Sequence, residues 1–152
     1  MKRDTRIVLA VVAAIPTVIL AASALCSWAI SLGASETWRM LFRIMCHGRP
    51  ERSLAIAGVT MPICARCVGI YAGLLVGLAA FVVIPYLRER IVRPFALAAV
   101  VPLAIDGLTQ LAGLRESTNE LRIVTGLVAG LAFGLWVLSA VERSEPVSFR
   151  TS

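Results

Sequence analysis

Charge is what this sequence has least of. Only 16% of its 152 residues are Asp, Glu, Lys or Arg, and nine of those are acidic. Soluble domains carry about a quarter charged residues, so the composition excludes an ordinary water-soluble fold. Apolar and polar residues do not alternate with a period of two, which excludes a transmembrane barrel. For a chain that is 59% hydrophobic, the remaining solution is a bundle of helices in lipid. The little charge present is mostly basic, with a net charge of +6. It sits in short segments between apolar runs. That suits anionic lipid headgroups as partners and argues against nucleic acid.

Four apolar runs approach the ~20 residues that a spanning helix needs: 7–32, 67–87, 94–114 and 123–141. Asp106 is the one charged residue inside any of them. The expected fold is therefore all-α: a single integral-membrane domain, a four-helix bundle. A Cys/His/Arg-rich loop or re-entrant hairpin fills 44–66, and a polar tail follows at 142–152. Trp28, Trp38, Tyr86 and Trp136 fall near the ends of the runs, as interfacial aromatics do. "MKRDTR" and "AASA" imitate a signal peptide, but the first run continues past Ala24 to Leu32 and reads as an uncleaved span. Four spans place the 44–66 loop and "RESTNELR" on the same side of the membrane, whatever the orientation. With the N-terminus inside, the two sides carry eight and seven Lys/Arg, which sets no direction. Several of the seven belong to candidate sites, and discounting those favours both termini in the cytoplasm of a cell membrane.

Gly69, Gly73 and Gly77 recur every four residues in the second run, as do Gly126, Gly130 and Gly134 in the fourth. Such stripes let membrane helices approach closely, so these two spans are expected to touch or to share a neighbour. "STNE" reads as a capping box that starts the fourth helix, with Ser117 as N-cap. Arg122 then falls one turn before Gly126, on the same face, and should point into the mouth of the bundle.

Three constellations could carry chemistry. Cys46-His47, sixteen intervening residues and Cys64-Ala-Arg-Cys67 form a potential Cys3His zinc site. Adjacent Cys46 and His47 can both bind only if the helix ends there, which Gly48 and Pro50 allow. The same C-x-x-C could be a redox pair with Cys46 as its resolving thiol, or the thiols could be merely buried. Cys26 reads as inert core. Second, Asp106 and Gln110 lie one turn apart in the third span. An acid in the hydrocarbon is a candidate catalytic acid or base, or half of a helix-locking ion pair. Third, Arg49, Arg52, Arg66, Arg115 and Arg122, with Glu51 and Glu116 among them and Gln110 and Asn119 as supporting polar residues, could converge on an anion or simply meet lipid phosphates.

"CHGRPERS", "CARCVGIYAG" and "IDGLTQLAGLRESTNELRIVTG" resemble a family of small prokaryotic membrane proteins catalogued as domain of unknown function 2085. The resemblance spans residues 46 to about 134 and implies a four-helix polytopic protein. It puts Cys46, His47, Pro50, Glu51, Arg52, Cys64, Arg66, Cys67, Asp106, Gln110, Arg115, Asn119 and Arg122 at motif positions, and brings no mechanism with it. The expectation is a metal-thiolate protein, most simply zinc-bound, with an adjoining arginine pocket for an anionic headgroup or lipid-linked substrate. Its rivals are a membrane thiol-disulfide oxidoreductase and a non-enzymatic carrier or scaffold with a structural zinc knuckle.

Overall fold

The computed structural model describes residues 3–83, 89–114 and 116–144. The end of the second run at 84–87, Tyr86, Arg115 and the tail at 145–152 lie outside the described residues. Four helices, α1 (Arg3–Ser31), α2 (Ala65–Val83), α3 (Glu89–Leu111) and α4 (Asn119–Ser144), account for the four apolar runs. All four are long and apolar enough to cross a membrane. The helices extend beyond the apolar runs where charged residues can reach the interface. α3 begins in "ERIVR", five residues before the expected Pro94. It ends three residues early, in a turn in which the Leu114 N–H donates to the Thr109 carbonyl at 3.0 Å, the six-to-one bond of a Schellman close.

α4 is the hub. Half of its span is buried, against 17% for α1 and α3, whose outer faces are left to lipid. Its partner is α2, and the two run parallel with their glycines interlocked. A Cβ on Gly69, Gly73 or Gly77 would strike the backbone of Ile123, Leu127 or Leu131 in turn. On α4, a Cβ on Gly126, Gly130 or Gly134 would strike backbone between Arg66 and Leu78. Steps of four on one helix match steps of four on the other, so the contact persists for three turns. The expected pairing of the two stripes is therefore direct.

The cap of α4 corrects the sequence expectation. The Leu121 N–H donates to Thr118 Oγ1 at 3.3 Å, so Thr118 and not Ser117 is the N-cap. Ser117 is buried and donates to the Thr118 carbonyl at 3.4 Å. The helix begins at Asn119, so N3 is Leu121 and Glu120 stands at N2.

Between α1 and α2 the chain forms the expected hairpin, β1 (Ser53–Ile56) against β2 (Val59–Cys64), antiparallel with Ile56 opposite Val59. Ala57 and Gly58 make the turn with φ of 51° and 80°, the two positive values of a type I′ turn. Alanine is a poor occupant there, since a left-handed L-residue costs ~1–2 kcal/mol. Ala57→Gly or Ala57→Asn should therefore stabilise the hairpin by up to about 1 kcal/mol, read as a raised midpoint in thermal unfolding of detergent-solubilised protein.

The hairpin is docked on α1. Ile63 is fully buried in a cluster with Ile19, Met61, Cys46 and Cys64. Ser23 and Ser27 are also fully buried, and Ser27 Oγ donates to the Ser23 carbonyl at 3.2 Å, with the Thr60 carbonyl at 3.4 Å. Small hydroxyls bonded to their own helix leave room for β2 to lie close.

An element that hydropathy does not reveal precedes the hairpin. Glu36–Ile44 forms a 3-10 helix capped by Ser35, whose hydroxyl accepts from the Thr37 N–H at 3.3 Å. Trp38, Met40, Leu41, Ile44 and the following Met45 are all exposed, and Arg39 reaches back to donate to the carbonyl and hydroxyl of Thr60. The segment is an amphipathic piece of the membrane surface tied to the hairpin.

Candidate metal centre and arginine cavity

The thiols are brought together by the hairpin. β2 ends at Cys64 and α2 begins at Ala65 without a break, so the C-x-x-C motif straddles a strand-to-helix junction. The first helical turn then swings Cys67 back towards Cys64, leaving their sulfurs 3.5 Å apart. Cys46 enters from the other side. The Cys64 N–H donates to its Sγ at 3.3 Å, an amide-to-sulfur bond of the kind that stabilises a thiolate. Gly48 makes this approach possible: its φ is +51°, and a Cβ there would lie 2.7 Å from the Pro62 carbonyl oxygen. Hydrogen bonds from the Cys64 and Cys67 thiols, and from the amides of Gly48 and Cys64, hold the Cys46 thiol far below its ordinary range, against the effect of burial.

The three sulfurs lie within 4.8 Å of one another and could hold a metal ion. A Zn–S bond of ~2.3 Å in tetrahedral geometry puts neighbouring sulfurs ~3.8 Å apart. The observed 3.5 Å between Cys64 and Cys67 is close to that edge, whereas a disulfide needs ~2.05 Å. All four cysteines are free thiols, and Cys26 sits apart on α1.

His47 is not brought into this group. The helix does end before Cys46, as joint binding requires, yet the two side chains part: Cys46 is buried and His47 is exposed. The imidazole instead lines two cavities. The smaller, of about 230 Å³, is also lined by Arg52, Cys64, Arg66, Gly107, Gln110, Leu111 and Arg122. Parity had placed the hairpin and "RESTNELR" on one side, and they are joined directly: Asn119 Nδ2 donates to the Ser53 carbonyl at 3.4 Å.

At the cavity, Arg66, Gln110 and Arg122 each have a local anchor. Asp106, buried on α3, is ion-paired with Arg66 of α2. Arg122 donates to Asn119 Oδ1 at 2.8 Å. With the Gln110 carboxamide turned so that its oxygen faces donors, it accepts from Arg122 Nη2 and from the Ser117 N–H at 3.3 Å. Arg66 with Asp106, and Arg122 with Asn119 and Gln110, thus form two bonded sets at the same cavity. Arg49 and Glu51 join neither: both are exposed, neither lines either of these two cavities, and the Arg49 carbonyl accepts from Ser53 Oγ at 2.9 Å. Arg115 lies outside the described residues.

Sequence reasoning passed over the second cavity, of about 390 Å³, where His47 meets Glu36, Arg39 and Arg43. Its signal was Arg39 and Arg43 one turn apart between apolar residues, in a segment too short and too charged to register as a span.

A family model described as "Predicted membrane protein (DUF2085)" matches residues 46–136. The match begins at the first thiol and takes in every residue of the thiol group and of the smaller cavity. The chain is similar to an uncharacterized protein of Methanocaldococcus jannaschii, with 43% identity over 100 residues, 64% of each chain. It thus spans a little under two thirds of that relative's length. It is also similar to an uncharacterized protein of Methanothermobacter thermautotrophicus, 45% identical over 104 residues, covering 68% of this chain and 92% of the relative. No solved structure matches it significantly.

Proposed function

The chain belongs to the family of predicted membrane proteins designated DUF2085, and within that setting we propose a metal-thiolate protein. Cys46, Cys64 and Cys67 hold one ion, zinc by the preference of thiolate ligands, beside an arginine-lined pocket for an anionic headgroup or lipid-linked substrate. The observation that carries this reading is the convergence of the three sulfurs from two segments eighteen residues apart in sequence. Thiolates select soft or borderline ions such as zinc over magnesium or calcium. Three thiols would leave one tetrahedral position for a further ligand, and Cys64 and His47 share a wall of the smaller cavity. Asp106 positions Arg66 in this scheme, and the reaction, if the bound anion is turned over, takes place in the cavity.

Elemental analysis of purified protein is expected to find about one metal ion per chain, and Cys46→Ser to weaken retention at least ~10-fold while the helical content stays constant. Metal-free protein with three alkylatable thiols would end this reading. A reversible disulfide trapped under oxidising conditions would replace it with the oxidoreductase. Which side of the membrane admits a thiol reagent to Cys64 separates the two further, since an outside location favours a disulfide.

A further inference from the structure

The smaller cavity has a wall of unusual charge. Arg52, Arg66 and Arg122 contribute to it, with His47, Gln110 and Cys64, and among the described residues no carboxylate does. Asp106 is engaged by Arg66 and is not part of the wall. Arg122 is the informative residue. It is only 5% exposed, and both its amino groups donate to neutral amides, those of Asn119 and Gln110. Its Nε, like that of Arg66, is buried without a hydrogen-bond partner. Amides aim a guanidinium without discharging it, and a buried donor left unmade is costly. Arg52, half-buried, makes no side-chain hydrogen bond or ion pair among the described residues. A counter-charge supplied by a ligand resolves all three.

The shape of the site narrows the ligand. About 230 Å³ is below the ~300–1,000 Å³ of sites that enclose a drug-sized molecule, so the cavity holds a small charged group and not what it is attached to. Three guanidiniums approaching from β1's base, α2 and α4 ask for an acceptor with oxygens in several directions. A carboxylate offers two oxygens in one plane; a phosphoryl group offers three around a tetrahedron. The apolar part of the wall comes from α3. Gly107 brings no side chain, and Leu111 is 84% exposed on a helix whose outer face is left to lipid.

We infer that this cavity binds a phosphoryl dianion, that of a phosphomonoester or diphosphate lipid whose chain leaves past Gly107 and Leu111 into the bilayer. The inference rests on the anion-pocket half of the proposed function and is independent of the metal. Free phosphate or pyrophosphate presents the same oxygens, so the test includes both sources.

Full-length protein is placed in phosphatidylcholine nanodiscs with added phosphatidic acid or phosphatidylserine, inorganic pyrophosphate serves as the free probe, and bound metal is measured in parallel. Saturable phosphatidic acid binding, displaced by pyrophosphate, is expected. Arg122→Gln should weaken it by at least ~10-fold and Arg122→Lys, which keeps the charge and loses the fork, by less. Arg52→Gln, at a side chain with no hydrogen bond or ion pair among the described residues, should weaken it by roughly tenfold and decides the matter if Arg122→Gln does not fold. Saturable pyrophosphate binding with saturable binding of neither lipid upholds the phosphoryl site and assigns it a free ligand. The inference is overturned if neither probe binds saturably, if phosphatidylserine binds as well as phosphatidic acid, or if both glutamine variants bind as the parent does. Those results leave the metal content untouched, so failure here is distinguishable from failure of the thiolate reading.

Discussion

Asp106→Ala is expected to lower stability by about 3–5 kcal/mol, the largest effect of any single polar substitution in this chain. The carboxylate is buried, only 4% exposed, and Arg66 on the other side of the ion pair is 23% exposed. Removing the acid strands a guanidinium whose Nε already lacks a partner. It also leaves the arginine wall without its neighbouring negative charge. Asp106→Asn keeps the shape and not the charge, so it should be nearly as damaging. The double variant Asp106→Asn with Arg66→Gln removes both charges and should recover more than half of the loss, because much of the single-variant cost is the unpaired ion. Chemical unfolding in detergent provides the measurement. Loss of less than about 1 kcal/mol in Asp106→Ala, the range of an exposed pair, would show that the pair is not holding α2 to α3.

The second large effect belongs to a glycine. A Cβ on Gly130 meets the carbonyl of Ile70 and the backbone nitrogen of Leu74, and no flexible side chain can move aside for it. Gly130→Ala must therefore force α2 and α4 apart, at a cost of about 3 kcal/mol, the upper end of overpacking. Gly107→Ala provides the contrast: a Cβ there meets only Arg66 Nη1, at an ordinary 3.7 Å. Equal unfolding midpoints for the two variants would refute the interlocked packing. Because the Arg66 carbonyl lies against Gly126, separating the helices should also displace Arg66 relative to Arg122 and weaken anion binding as well as stability.

These two sites mark what the sequence made legible. A charge in an apolar run and a small residue every fourth position are signals of composition and period, and both survive without knowledge of local geometry. The four helices, their parity, the hairpin and the α2–α4 contact followed from them. Other features depend on backbone angles that no period reveals. His47 follows a buried thiol, and its direction is decided by the non-helical backbone of 46–49 and the left-handed Gly48 beside Pro62. The cap moved from Ser117 to Thr118 although only Ser117 has a glutamate three residues on, because the cap is fixed by the first helical residue, Asn119. The 3-10 segment escaped because its apolar residues are interrupted by Arg39 and Arg43, so that no window over it is apolar enough.

The position of the thiols at the start of α2 has a consequence for where the chemistry sits. Cys64 immediately precedes the helix and Cys67 lies in its first turn, so both stand at one end of a membrane-spanning segment. The exposed Trp38, Met40, Leu41 and Ile44 belong to the segment that leads to the third thiol, Cys46. Locked to α4 by glycine, α2 cannot tilt alone to suit a different membrane, so the bilayer must thin or thicken around it. Membrane thickness is thereby converted into the height of the waterline at the thiols: a thicker bilayer submerges them in headgroups, and a thinner one lifts them towards bulk water.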